Sequence, residues 1–341
     1  MPIRLLKHLA MLLPPSTRDA LRLRYRTGRD RLGVWKASCH DASWYCRHSG
    51  LGGSIRKGVL QARIIKSYHR VEKGLALASP RPGFGPDAIS LLIRDIEIYR
   101  KIHGTDHVIH RAIQTLAEYD RFNQLADLPS DAAQRAQSAS QLTTQPEANI
   151  QGGTIEVSRT EILAAAQHDL SAFFQHRYSI RQFSATPVDE GLIERAVRMA
   201  QKTPSVCNRE SGRVFLVSEK ACAAKLLAFQ NGNRGFGEQA DKLLIITASV
   251  DCFLTVGERN QCWIDGGLFS MSVIYALHSL GLGTCCLNWS VEPATDRSLK
   301  RSAGIPENHA IIMMLAVGHL PEKLRVAASA RRPLADVLSR L

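Results

Sequence analysis

The feature that most constrains this chain is a run, residues 264–280, that is apolar on most faces of a helix. Its large side chains are Ile264, Leu268, Phe269, Met271, Val273, Ile274, Tyr275, Leu277 and Leu280. This spacing predicts a long helix at residues 257–281, and a helix that is apolar all round must be buried. Small residues at 266, 267, 270 and 272 would let a neighbouring backbone approach closely. Because the C-terminal half of the chain can scarcely surround such a helix alone, we expect a homodimer whose interface includes it.

Strands and helices alternate around this run. Apolar, β-branched segments predict strands at residues 214–218, 242–250, 284–287 and 311–317. Helical spacing predicts helices at residues 158–175, 188–202 and 219–230. Together these elements predict an α+β fold for residues 158–341, with a sheet flanked by helices.

The N-terminal part has a different pattern. Apolar positions recur at helical spacing in residues 55–78, 87–103 and 106–127, which predicts a helical unit at residues 55–128. Residues 129–157 are rich in Ser, Gln, Thr and Ala with few large apolar residues, and this composition is typical of a linker. Residues 1–54 remain as a basic arm.

Charge is concentrated in that N-terminal part. The 341 residues carry a formal net charge of +13, and residues 1–80 hold 16 Lys and Arg against 4 Asp and Glu. A nucleic-acid interface is unlikely because most of the chain is near neutral and the arm contains no recognised module. Docking of the arm to an anionic membrane surface or an acidic partner stays open. For Met1–Pro15, a solvated or partner-docked helix is the simpler interpretation.

Several other classes of protein are disfavoured. No apolar run approaches the length of a membrane span. The eight cysteines form no CxxC pair, and the spacing of Cys39, His40, Cys46 and His48 fits no common zinc pattern, so we expect reduced thiols in the cytoplasm and no metal. The chain has no P-loop, GxSxG or HExxH motif. Gly281–Gly283 follows a predicted helix and precedes a strand, the reverse of a dinucleotide-binding fingerprint.

Three separated segments share polar chemistry. Arg177, Ser179 and Arg181 alternate, so in an extended segment they point the same way and could clamp a phosphate. The alternative is a helix end with basic residues placed against its dipole. Residues 203–209 offer a hydroxyl and an amide in a loop, or form an ordinary Pro/Ser/Asn turn. Residues 329–334 carry a further guanidinium pair, which alone would be a solvated tail.

In this order the segments resemble the nitroreductase family of FMN-dependent oxidoreductases, over about residues 170–341. The matching blocks are RYSIRQF, TPSVCN, IDGGLFSMSVIYALHSLGLGTCCLNWS, IPENHAIIMMLAVGHL and RRPL. The resemblance implies an α+β sheet sandwiched by helices in an intertwined homodimer, with FMN at the interface. It also implies ping-pong hydride transfer from NADH or NADPH to a second substrate, with no side-chain acid or base.

The resemblance further implies which residues bind the cofactor. The opening segment would grip FMN, and the loop would reach it from the other subunit. The residues after the long helix would lie beside the flavin ring, and the C-terminal pair would contact the phosphate. In this sequence these residues are Arg177, Tyr178, Ser179, Arg181, Pro204, Ser205, Asn208, Cys285, Cys286, Leu287, Asn288, Arg331 and Arg332.

The chain departs from the family where Asn-x-Gln-Pro-Trp is common. Glu210, Ser211 and Gly212 stand in place of Gln, Pro and Trp. The carboxylate would repel the phosphates of NAD(P)H, so the acceptor is open, and Cys207 is expected to be a structural thiol. The segment from His69 to Leu75, outside the common domain, is interpreted as a helix end rather than an anion site, and its unit could cover the flavin pocket. A noncatalytic scaffold that docks through its basic arm is the alternative function.

Overall fold

A computed structural model describes residues 14–140, 152–156 and 169–341, except residues 325, 328–330 and 332. The helices are α1 (Pro15–His48), α2 (Lys57–Leu75), α3 (Pro86–His103), α4 (His107–Leu125), α5 (Ala132–Ser140), α6 (Leu170–Gln175), α7 (Glu190–Ala200), α8 (Lys220–Leu227), α9 (Gln261–Ser279) and α10 (Pro293–Ala303). The strands are β1 (Gly212–Val217), β2 (Lys242–Ser249), β3 (Leu282–Asn288) and β4 (His309–His319). Within these ranges no helix combines the length and apolar character needed to cross a bilayer.

The four strands form one antiparallel sheet in the order β1-β2-β4-β3. Strand β2 is buried along its whole length because it lies between two neighbours and is covered on both faces. The register between β2 and β4 shifts by one residue between Ile246 and Thr247. The predicted strands are confirmed, and the mixed sheet and helices confirm the α+β fold.

Helix α9 packs across one face of the sheet together with α7. Phe269, Val273 and Leu277 lie in a core with Leu244 and Leu315 of the sheet. The approach is close at Gly266, where an added Cβ would lie 2.5 Å from the side chain of Ile312. This packing is why the run needs glycine and serine among its apolar residues.

The predicted long helix is confirmed, but its burial is one-sided within the chain. Ile264 is 54% exposed and Leu268 is 48% exposed, and Trp263 beside them is also exposed. The single chain therefore leaves one side of the helix uncovered, and the homodimer interface expected to include it stays a prediction. The exposed side chains form a continuous apolar stripe, which is taken up again below.

The other face of the sheet carries a second core. Leu243 and Ile245 of β2 and Met314 of β4 contact Leu227 of α8 and Leu299 of α10. Helix α10 has no counterpart among the predicted elements because only a few of its residues are apolar. Its first residue is Pro293, and Gly304 ends it in the left-handed conformation.

The N-terminal helical unit has its own core. Helices α2, α3 and α4 confirm the three predicted helices, and their interior contains Leu60, Ile64, Leu92, Ile96 and Leu116. The buried carboxylate of Asp95 accepts a hydrogen bond from Arg63 Nε at 3.1 Å, which offsets part of the cost of its burial.

The segment predicted as a linker contains a packed helix. In α5, Ala132 and Ala136 are buried in the core of the helical unit. The carboxylate of Asp120 accepts hydrogen bonds from the backbone N–H groups of Ala132 and Ala133, and so caps the helix from α4. Alanines pack closely without adding a large apolar signal, which is why the pattern indicated a linker. The predicted helix at 158–175 is described only from Leu170, and residues 157–168 lie outside the described residues.

The helical unit is held against the C-terminal domain by polar contacts. Gly50 N donates to Phe253 O at 2.8 Å, and the Arg56 guanidinium lies 3.3 Å from Asp251 Oδ1. At Gly58 of α2, an added Cβ would lie 2.7 Å from the Asp251 carboxylate. Glycine therefore brings the first turn of α2 close to the loop that follows β2.

The buried His309 makes the stability of the domain depend on pH. Burial, together with Arg213 and Lys300, lowers the pKa of His309 to about 4. Because the unfolded chain binds this proton near pH 6.5 and the folded chain does not, stability should fall as pH drops from about 6.5 towards 4. This residue should make the free energy of unfolding roughly 2 kcal/mol lower at pH 5 than at pH 7.

Urea unfolding of wild type and His309→Gln at both pH values measures this contribution. The variant should lose most of that pH dependence, whereas His319→Gln, at the far end of the same strand, should keep it. Equal pH dependence in wild type and His309→Gln would contradict the assignment.

Candidate functional site

The first predicted segment lies along the edge of the sheet. Ser179 forms a parallel bridge with Thr284 of β3, and Ile180 N donates to Thr284 O at 2.8 Å. Ile180 is buried against Gly283, whereas Ser179 is half-buried and Arg181 is exposed. The segment starts at the C-terminal end of α6, which is capped at His176, and is extended beyond it. Its alternation is consistent with Arg177, Ser179 and Arg181 on a common side.

A cavity of about 650 Å³ opens at this edge. Its walls include Phe174, Gln175, Arg177, Tyr178, Ser179, Arg181, Tyr275, Ala327 and Arg331. The structure thus places Arg331, some 150 positions further along the chain, on the wall of the same cavity as Arg177 and Arg181. Among the described lining residues there is no carboxylate, so the electrostatic potential here favours an anion. Arg332 lies outside the described residues.

Strand β3 carries four predicted residues at the same edge of the sheet, but only two of them expose their side chains there. Cys285 and Leu287 are 1% and 2% exposed and lie in the core beneath the sheet. Cys286 and Asn288 are exposed, as the two-residue period of a strand requires. Cys285 and Leu287 can therefore offer a ligand only backbone groups.

Each of the two cysteines on this strand lies near an arginine of the first segment. Although Cys286 is exposed as a residue, desolvation of its thiol by the surrounding protein raises the pKa of Cys286, and the nearby Arg177 guanidinium acts against that shift. Burial likewise raises the pKa of Cys285, with Arg181 acting against it. Both thiols therefore stay protonated at neutral pH, and neither is a thiolate nucleophile.

The second predicted segment, the loop of residues 203–211, is built around strained backbone. Cys207, Asn208 and Glu210 all have positive φ, at 50°, 52° and 47°. Non-glycine residues seldom adopt this conformation, so surrounding contacts must hold it. Val206 N donates to Asp265 Oδ2 at 3.1 Å, and Glu210 N donates to Ser205 Oγ at 3.0 Å.

A buried ion pair anchors this loop from below. The Arg209 side chain is fully buried and its Nη2 lies 2.6 Å from Glu258 Oε1. The second Glu258 oxygen accepts from Leu254 N at 2.6 Å, and these hydrogen bonds hold the pKa of Glu258 below its usual range. With Arg209 held inside, its neighbours Asn208 and Glu210 are exposed.

A second cavity, of about 410 Å³, lies between this loop and the helical unit. Gln61, Tyr68 and Arg111 of the helical unit face Ser205 and Glu210 of the loop across it. Burial raises the pKa of Tyr68 to about 12, so its hydroxyl stays protonated and can donate a hydrogen bond.

The wall of this second cavity contains an unpaired polar atom. Ser211 is 1% exposed, and its Oγ has no hydrogen-bond partner among the described residues. Gly212, next to it, leaves room for the ring of Phe269, which an added Cβ would approach to 2.5 Å. The packing of Phe269 thus accounts for glycine at the position where the family commonly has Trp.

The two groups of predicted residues lie near opposite ends of α9. Asp265, near the start of the helix, holds the loop, whereas Phe173 O lies 3.1 Å from His278 Nε2 near its end. Thirteen positions on a helix correspond to about 20 Å. One chain therefore does not bring Asn208 to Arg177.

Several cavity residues escaped the sequence reasoning. Tyr275 was visible only as one apolar residue of the long helix, yet its ring lies 4.7 Å from that of Phe174 at the first cavity. Tyr68 and Arg111 reach the second cavity through tertiary contacts that no local motif records. The only signal of this role in the sequence was the charge of Arg111 among the apolar residues of α4.

The segment from His69 to Leu75 follows its structural interpretation. His69 Nδ1 lies 2.9 Å from Glu72 Oε2, and Gly74 packs against the ring of Phe84. Neither His69, Arg70 nor Lys73 lines either cavity. In the described part of the chain, no cluster of three His, Cys, Asp or Glu side chains is placed to hold a metal.

Comparison with known proteins matches residues 174–319 to the model of the nitroreductase family. No curated protein matches the chain. Among solved structures, a putative nitroreductase in complex with FMN from Desulfovibrio desulfuricans is 18% identical, covers 51% of this chain and 98% of its own, and has a TM-score of 0.45. NfrA2 of B. megaterium is 24% identical and covers 51% and 74%, with a TM-score of 0.44. An FMN-dependent nitroreductase from Clostridium difficile is 19% identical and covers 46% and 91%, with a TM-score of 0.40.

The matched residues contain the four described strands, helices α7 to α10, Arg177 and Arg181 of the first cavity, and the strained loop. Helices α1 to α5 lie outside the match. Residues 174–319 therefore form a domain of the nitroreductase family, preceded by a helical region of its own.

Proposed function

We propose that this protein is an FMN-dependent oxidoreductase that takes a hydride from NADH or NADPH and passes it to a small-molecule acceptor. The observation that carries the proposal is the clamp of Arg177, Ser179, Arg181 and Arg331 around one cavity of the family domain. Guanidiniums bind phosphate oxygens through paired, charge-assisted hydrogen bonds. Three of them around one cavity, with no carboxylate among its described lining residues, suit a phosphate monoester carrying two negative charges.

The residues at this edge fit the two ends of FMN. The clamp would hold the phosphate, and the exposed edge of β3 at Cys286 and Asn288 would lie beside the ring. When bound, FMN supplies the hydride chemistry, accepting two electrons from a nicotinamide and passing them on. The protein supplies position and charge, and a cation near the reduced ring would stabilise it. Cys285 and Cys286 remain protonated thiols and take no part in proton transfer.

We propose further that the site is completed by a second copy of the chain. The stripe on α9 consists of the exposed Ile264 and Leu268 and the half-buried Met271 and Tyr275, at intervals of four, three and four residues. Such a stripe suits packing against another helix. Within one chain, the loop and the clamp are about 20 Å apart along α9. If two copies pack antiparallel along the stripe, the loop of one chain would lie near the clamp of the other. This arrangement would let Asn208 act from the other subunit.

The helical unit would then define which acceptors enter. Its Tyr68 and Arg111 line the second cavity, beside Pro204 and Ser205 of the loop. The side chain of Arg111 hydrogen-bonds to Tyr68 and makes no ion pair with any carboxylate of the described residues. An arginine that lines a cavity and makes no ion pair can bind an anionic group of the acceptor. Glu210, on the opposite wall, would repel a second anionic group and so limit the acceptor to one.

The clamp is tested by flavin content. Purified protein should show flavin absorbance that NADH or NADPH bleaches. Removing one charge-assisted hydrogen-bond donor should weaken FMN binding about 10- to 100-fold, so Arg177→Ala should raise the FMN dissociation constant by this factor. Arg195→Ala, an exposed arginine of α7, is the matched control and should leave it unchanged. Wild-type protein that is colourless and cannot be reconstituted with FMN would refute the function, whereas unchanged affinity in Arg177→Ala would refute only the clamp.

The dimer is tested at the stripe. Leu268→Glu buries a charge in the expected interface, so the variant should sediment as a monomer at micromolar concentration while wild type sediments as a dimer. Because the loop and clamp would then no longer meet, the variant should also lose bound FMN. The control Val256→Glu changes an exposed apolar position outside α9. It should change neither the sedimentation nor the FMN content. A wild-type protein that sediments as a monomer and retains FMN would contradict the two-chain site.

The acceptor cavity is tested by separating the two half-reactions. Arg111→Ala should slow reoxidation of the reduced enzyme by 1,4-naphthoquinone-2-sulfonate about tenfold, since a charge-assisted contact is lost. Reduction by NADH, and reoxidation by uncharged 1,4-naphthoquinone, should change by less than about twofold. Arg121→Ala, exposed on the same helix, is the control for both reactions. Equal slowing with the charged and uncharged quinones would count against an anion-selective cavity.

A further inference from the structure

Helix α1 is docked only at its C-terminal end. Trp44 Nε1 donates to Glu307 O, and Tyr45 OH donates to Thr255 O, both at 2.8 Å. The ammonium of Lys300 lies 5.2 Å from the centre of the Trp44 ring. From residue 15 to residue 36, in contrast, every described side chain is exposed. These positions make a helical arm about 33 Å long. Within the described chain, its side chains form hydrogen bonds and ion pairs only inside the helix.

One side of this free arm is an apolar stripe. It follows intervals of four and three residues, and consists of Leu21, Tyr25, Gly28, Leu32, Trp35 and Cys39. At 100° per residue these positions fall within a sector of about 80°. Tyr25 is 72% exposed and Trp35 is 63% exposed, so the stripe presents aromatic rings to solvent. Two other apolar residues, Leu23 and Val34, lie on the opposite side as isolated positions.

Most cations of the free arm lie beside the stripe, although Arg22 and Arg29 also pair with Asp19 and Asp30, at 3.7 Å and 2.9 Å. Cations border it on both sides, with Arg22, Arg29 and Lys36 on one side and Arg24 and Arg31 on the other. The acidic residues of the free arm, Asp19 and Asp30, lie roughly 160° to 180° round from Leu21. An apolar face edged by cations, with acids on the far side, is the pattern of a helix that lies in the plane of an anionic bilayer surface.

The docked end of α1 fixes where this stripe points. Trp44 and Tyr45, which contact the domain, lie about 140° and 120° round the helix from the centre of the stripe. The stripe therefore faces away from the body of the protein. A flat surface could contact the whole length of the arm without displacing the contacts of Trp44 and Tyr45.

A second copy of the arm is a poor occupant of the stripe. If the stripe were the seam of a coiled coil, the bordering cations would occupy both flanking positions of each heptad. Two such helices would bring arginine against arginine in either orientation. Gly28 would also leave a gap in the middle of the seam. Charge complementarity therefore selects a partner that is anionic and continuous along the arm.

We propose that α1 is a peripheral membrane anchor whose stripe enters the headgroup region of an anionic lipid bilayer. The rings of Tyr25 and Trp35 would lie at the boundary between headgroups and acyl chains, where aromatic residues with a polar edge are favoured. The flanking arginines would extend along the surface to the lipid phosphates, with their stems covering the edge of the stripe. Through Trp44 and Tyr45, the arm holds the domain beside the membrane.

Flotation of the full-length protein with vesicles tests the anchor. Wild type should bind phosphatidylcholine vesicles containing about 30 mol% phosphatidylserine, and should release in about 0.5 M salt as charges are screened. The double variant Leu32→Glu/Trp35→Glu places two carboxylates in the stripe and should lower the vesicle partition coefficient at least about tenfold. The matched control Leu23→Glu/Val34→Glu makes the same change on the opposite side and should bind within about twofold of wild type.

Each outcome decides the proposal. It is overturned if wild type does not float with the anionic vesicles, if it binds pure phosphatidylcholine equally well, or if both double variants lose binding alike. Sedimentation velocity without lipid tests whether the stripe instead joins two copies. That occupant is identified if wild type does not bind vesicles and only the stripe variant changes oligomeric state. A second variant keeps the stripe and should lose the preference for anionic lipid. It combines Arg22→Gln, Arg24→Gln, Arg29→Gln and Arg31→Gln. Melting curves of each variant confirm that the body is folded, and flavin content reports the site separately.

Discussion

The packing of helix α9 across the sheet is the constraint on which the rest of the domain depends. Gly266 lets the helix approach Ile312 of β4, and this close contact sets its height above the sheet. Both ends of the helix then hold site elements, because Asp265 binds the strained loop and His278 contacts the backbone of Phe173. The separation between loop and clamp is therefore a property of one rigid helix. A functional site that needs both must draw them from two chains.

The helical unit meets the domain at that same loop. Arg56 beside Asp251, with Gly58 against the same carboxylate, brings the first turn of α2 next to the segment that follows β2. Tyr68, further along α2, then reaches the second cavity. A domain of this family without such a unit would leave this side of the loop open to solvent. In the proposed function, a neighbouring unit that the family model does not contain would therefore take part in selecting the acceptor.

How much could be predicted from the sequence depended on whether a feature was local. The apolar run of α9, the strands and the alternation of Arg177, Ser179 and Arg181 are set within a few residues, and their spacing indicated them correctly. Helix α5 was missed because alanines at 132 and 136 pack by being small, which a hydrophobicity pattern does not record. Cys285 and Leu287 point into the core because of a strand period that the family resemblance alone does not reveal. The contact of Arg111 with the second cavity joins helices far apart in sequence, so no local pattern could predict it.

The positive charge of the chain lies at the clamp and on the arm, and its interactions differ in strength between the two. In the clamp, the arginines line a cavity, where a charge is screened less than in open water and a ligand can be bound in one orientation. On the arm, the arginines are exposed on a helix, where each interaction is weak and only their number along a surface gives affinity. The first arrangement selects one molecule and the second selects a class of surface. Because the stripe of the arm faces away from the domain, the proposed anchor and the proposed clamp would not exclude each other: a membrane could hold the protein while the clamp holds its cofactor.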